Sequence, residues 1–97
     1  MKNTLEIGIA TREESTHLAL AYILRDNSGE VLSNGTDTRA TTGLELLTNI
    51  KVLFASLEQY GDLQRVTLFS DRARLGTTLS DRLIEDIGHY CPNVSVA

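Results

Sequence analysis

The hydrophobic period of this chain switches from that of strands to that of a helix after residue 42, and that switch limits the folds open to it. Before it, large apolar residues alternate with small or polar ones. In the stretch that follows, apolar residues return every three or four positions. Leu5-Glu6-Ile7-Gly8-Ile9-Ala10 alternates without a break and is expected to be a strand. Its Leu5, Ile7, Ile9 side is bulky, and its Glu6, Gly8, Ala10 side is small. Residues 11–15 are polar and turn the chain. Residues 16–25 read as a second strand, with Leu18, Leu20, Tyr22 and Leu24 on one side and His17, Ala19, Ala21 and Ile23 on the other. Asp26-Asn27-Ser28-Gly29 is a strong turn signal. Residues 30–34 then return as a third strand, completing an antiparallel meander.

Leu46, Leu47, Ile50, Leu53, Phe54 and Leu57 recur at helical spacing. Thr41 or Thr42 can cap the first turn, and with Thr42 as the cap Glu45 can reach back to the free amides. The helix is expected to end near Tyr60-Gly61, since glycine suits the residue after a helix. Residues 65–70 read as a fourth strand and 71–78 as a loop or short turn. Ser80 is expected to cap a second helix running through Leu83, Ile84 and Ile87 to about His89. Pro92 breaks that pattern, and residues 93–97 form a short last strand.

The predicted class is therefore α/β, in the order β-β-β-α-β-α-β. Right-handed crossovers give a mixed five-stranded sheet with strand order 3-2-1-4-5. They also put both helices on the face carrying Leu5, Ile7 and Ile9. The other face carries Gly8, Ala10, Ala19 and Ala21, with Ile23 and Phe69. A bare sheet face is a large patch for a monomer. A second copy or a partner protein is expected to cover it, a homodimer being the default.

The 97 residues suit a single domain, 1–97. No apolar run approaches the ~20 residues that span a bilayer, and residues 1–5 do not read as a signal peptide. Cys91 is the only cysteine, which excludes an internal disulfide and suits the cytoplasm. Beside a last strand, it reads as a small buried residue. Net charge is −4, which argues against a strong grip on a polyanion, although a local basic patch is compatible with it. His17 has no second histidine at metal-ligand spacing and reads as structural. No Ser-His-Asp set, P-loop or CxxC motif occurs.

Three stretches, in this order and spacing, resemble the ribonuclease H family. Residues 21–32, Ala-Tyr-Ile-Leu-Arg-Asp-Asn-Ser-Gly-Glu-Val-Leu, resemble its second and third strands around their turn. Residues 39–46, Arg-Ala-Thr-Thr-Gly-Leu-Glu-Leu, resemble the opening of its first helix. Residues 66–71, Val-Thr-Leu-Phe-Ser-Asp, resemble its fourth strand, which ends in aspartate. The resemblance implies the ribonuclease H fold and a nuclease that cuts RNA in RNA/DNA hybrids with two divalent ions. Two such ions need several carboxylates to hold them ~3.5–4 Å apart.

The resemblance matches Glu45 to the helix glutamate and Asp71 to the fourth-strand aspartate. Ala10 stands where it implies the first-strand aspartate. Thr41 and Thr42 stand for paired asparagines that contact the substrate backbone, and Thr11-Arg12-Glu13-Glu14-Ser15 replaces a Gly/Pro-rich loop. The family's histidine loop and last helix, with a fourth carboxylate, are not expected within these residues.

The sequence therefore predicts a degenerate ribonuclease H-like module that binds rather than cuts. Glu45 and Asp71 could hold Mg²⁺ or Mn²⁺ weakly, or could serve a helix start and a turn. Arg72 and Arg74 could contact phosphate or an acidic partner group, or neutralise the carboxylates that remain. One alternative is an active metal-dependent ribonuclease H completed by Glu13, Glu14 or a second subunit. Another is a small acidic inhibitor that occupies a partner's basic site.

Overall fold

A computed structural model of the chain describes residues 3–11, 18–37, 43–70 and 77–96. Strands β1 (Asn3–Thr11), β2 (Leu18–Arg25) and β3 (Val31–Asp37) form the meander. Helix α1 (Gly43–Leu57) and a 3₁₀ turn (Glu58–Tyr60) lead to β4 (Leu63–Ser70). Helix α2 (Thr77–Gly88) leads to β5 (Val94–Val96). The five strands pair in the order β3-β2-β1-β4-β5, as the sequence predicts. β1 is antiparallel to β2 and parallel to β4.

Both helices lie on one face. Leu5 and Ile7 of β1 are wholly buried with Leu24, Val66 and Leu68, against Leu46, Ile50 and Phe54 of α1 and Leu83 and Ile87 of α2. Alternation explains the other face. Gly8 pairs with Ala21 across β1–β2 and with Phe69 across β1–β4, so small residues and one large ring share a row.

The hairpin turn is built around one carboxylate. Asp26 Oδ1 accepts from the Ser28 amide at 2.9 Å, the Ser28 hydroxyl at 2.7 Å and the Glu30 amide at 3.0 Å. Gly29 supplies the left-handed backbone at φ 90°. The Ser28 hydroxyl bond does most to hold the Asp26 carboxyl below its ordinary 3.8; slight desolvation opposes this, and the turn amides add to it. A carboxyl lowered on folding stabilises the fold above its unfolded pKa, and that contribution disappears as pH falls through the folded value. Urea denaturation across this range should therefore show the hairpin weakening in acid, and Asp26→Ala should lower neutral-pH stability while flattening that acid limb. An unchanged limb would remove the turn from the pH response.

Several element boundaries differ from expectation. β3 runs on to Asp37 rather than stopping at Asn34. Tyr22 covers Gly35, where a Cβ would sit 2.9 Å from the ring, and its hydroxyl meets Ser33 Oγ at 3.0 Å. β1 and β4 each begin two residues early, and β5 spans only Val94–Val96. Asn3 explains the early start of β1: buried, it donates its side-chain amide to the Tyr60 carbonyl at 2.8 Å and its backbone amide to Asp62 at 2.9 Å. Gly61, at φ 100°, stops the 3₁₀ turn as expected.

The expected cap at Ser80 is incorrect. α2 starts at Thr77, and Ser80 lies inside it, 1% exposed, on the stripe shared with Leu83 and Ile87. The i, i+3, i+7 phase carries the helix one turn further back than the cap reading allowed. Cys91 is buried, as expected, with Sγ 3.7 Å from the Leu63 carbonyl. Among the described residues, no helix is long and apolar enough to cross a membrane.

Candidate functional site

The topology brings the candidate residues toward one edge of the sheet. β3 runs parallel to β1 because two antiparallel pairings separate them. α1 therefore begins at the edge where β1 and β4 end, and α2 begins there too. Open α/β sheets bind ligands at such carboxyl edges.

Of the positions that the resemblance matches to the nuclease site, the structure places two. Ala10 lies near the end of β1, opposite Ala19, and is exposed. Glu45 is exposed in the first turn of α1, where a carboxylate favours the helix dipole. Asp71, Thr41, Thr42, Arg72, Arg74, Glu13, Glu14 and His17 lie outside the described residues. Ala10 is the residue that the resemblance sets against a first-strand aspartate. Among the described residues, no three His, Cys, Asp or Glu side chains are grouped to hold a metal ion.

The open face is shaped as well as bare. Gly8, Ala10, Ala19, Ala21 and Thr36 line a shallow concavity of about 300 Å³, with Phe69 along one side. A Cβ built on Gly8 meets nothing within 4 Å. Phe69 leaves 45% of its surface in water, high for a phenylalanine in a central strand. Three charged residues share the face: Glu6 on β1 and Arg25 on β2, both half-buried, and Arg65 on β4, exposed. None was singled out from the sequence, although Arg65, Thr67 and Phe69 alternate with buried Val66 and Leu68.

A second groove, of about 350 Å³, runs between α1 and the β2–β3 edge, walled by Tyr22, Gly35, Val52 and Leu53. Among the described residues its lining has no carboxylate, histidine or cysteine, and its polar groups are the hydroxyls of Tyr22, Thr36 and Ser56 and the amide of Asn49.

Solved structures share this architecture. The ribonuclease H1 of Halobacterium salinarum superposes with a TM-score of 0.58 at 13% identity, over all of this chain and 84% of that one. LC11 ribonuclease H1, solved with an RNA/DNA hybrid, gives 0.57 at 13% identity, over 99% and 83% of the two chains. Marinitoga piezophila Argonaute, solved with a 5′-hydroxyl guide RNA, gives 0.64 at 13% identity, over 91% of this chain and 15% of that one. No protein-family model and no curated protein sequence matches the chain. The chain has the ribonuclease H-like fold, with the mixed five-stranded sheet and two helices of those neighbours.

Proposed function

We propose that this chain is a degenerate ribonuclease H-like interaction module that does not cut nucleic acid, and that its bare sheet face is the contact surface. The exposed methyl of Ala10 carries this reading. The position that the resemblance assigns to a metal-binding aspartate has no oxygen to offer. Glu45 and Asp71 remain as matched carboxylates, and two carboxylates bind Mg²⁺ poorly because it keeps most of its waters. One neighbour was solved with an RNA/DNA hybrid. The net charge of −4 on this chain favours a protein contact over a polyanion.

The test is a labelled RNA/DNA hybrid with Mg²⁺ or Mn²⁺. No cleavage above background is expected, and calorimetry should find Mg²⁺ binding no tighter than about millimolar. Cleavage that vanishes on Glu45→Ala would overturn the reading and make the chain a metal-dependent nuclease.

A further inference from the structure

We infer that the open face binds a second copy of this chain about a twofold axis along the strands between β1 and β4, each Phe69 entering the other copy's Gly8 concavity. The inference rests on the reading of that face as a contact surface and names its occupant.

The register carries the geometry. Gly8 and Phe69 are direct partners on neighbouring strands, so they sit at the same height along the sheet. A twofold axis midway between those strands, lying in the plane between two facing sheets, exchanges β1 and β4. Each Phe69 then stands over the other copy's Gly8. Ala21 pairs with Gly8 from the far side and keeps the hole wide. Facing sheets pack about 10 Å apart, with strands turned by roughly 30°. The empty space above Gly8 leaves room for a ring to descend into that gap. The knob and the hole lie on the same face of the same chain, as an isologous contact requires.

Charge agrees with shape. Arg65 pairs in register with Thr4, one pleat repeat from Glu6. The exchange places Arg65 of one copy over Thr4 of the other, within reach of Glu6. The face's other cation, Arg25, is turned along its own hairpin, donating to the Gly29 carbonyl at 3.2 Å. Each copy thus offers one acid and one free base at positions that the twofold brings together, so like charges do not meet at its centre.

Sedimentation of the 97-residue chain at micromolar concentration should show a dimer. Gly8→Leu fills the hole in open space and should leave circular dichroism unchanged while abolishing the dimer. Arg65→Glu, at an exposed position, should raise the dissociation constant by about tenfold or more. Adding Glu6→Arg to Arg65→Glu should restore association by reversing both charges. A wild-type monomer, or a dimer that persists in both Gly8→Leu and Arg65→Glu, overturns the second copy as occupant. Hybrid cleavage is measured on the same samples. A monomer that does not cut therefore refutes this pairing alone, whereas cleavage refutes the reading beneath it.

Discussion

Replacing Ile7 with alanine is expected to cost about 2–5 kcal/mol, the usual range for emptying a packed isoleucine site. Ile7 is wholly buried at the centre of the middle strand, between Tyr22 on β2 and Leu68 on β4. Three neighbouring layers meet there: the sheet, α1 and α2. The hole left behind cannot close without moving one of them, so both the transfer and the cavity contribution apply. A chain of this size has about 5–15 kcal/mol of stability in total. The loss should lower the melting temperature by roughly 10 °C or more. Val52→Ala is the control, because Val52 on α1 is apolar yet 63% exposed. Its cost should stay within about 0.5 kcal/mol. If Ile7→Ala costs no more than this control, Ile7 does not face the helices. A one-residue slip would then turn every side chain of β1 over.

Both faces of β1 were legible in its alternation, because a period of two admits only two arrangements and bulk decides between them. The strand order was legible as well, since a meander followed by two right-handed crossovers leaves few arrangements. The register between β1 and β4 was not. These strands are joined through β2, β3 and α1, so no turn geometry ties Gly8 to Phe69. That pairing, which gives the open face its shape, exists only in the folded sheet. The length of β3 was hidden for a related reason. Asn34-Gly35-Thr36-Asp37 has the composition of a turn, and its pairing with β2, where the Tyr22 ring lies over Gly35, exists only in the folded sheet.

The candidate site was partly legible. Ala10 and Glu45 occupy the strand end and the helix start that the resemblance implies. Asp71, Thr41, Thr42, Arg72 and Arg74 fall outside the described residues, so their grouping rests on the resemblance alone. Arg65 and Glu6 escaped notice because a single charge on a solvent-facing strand position has an ordinary explanation. Their second role belongs to the proposed contact between copies across the bare face.

Ser80 supplies the prediction on which the sequence and the structure disagree in sign. As an N-cap, Ser80 would hold a free amide, and Ser80→Ala would cost ~1 kcal/mol. In the structure, Thr77, Thr78 and Leu79 are already helical, and Ser80 sits on the buried stripe of α2. Its Oγ makes no hydrogen bond. A buried hydroxyl without a partner forfeits its hydration, a penalty of ~1–3 kcal/mol. Alanine removes the hydroxyl, loses only one atom of packing and is the better helix former by a few tenths. Ser80→Ala should therefore stabilise the fold by about 1–2 kcal/mol and raise the melting temperature by roughly 4–8 °C per kcal/mol. The urea midpoint should rise with an unchanged slope, since the surface exposed on unfolding is nearly the same. A midpoint that falls would mean that the hydroxyl holds an amide after all, and would move the start of α2 from Thr77 to the residue after Ser80.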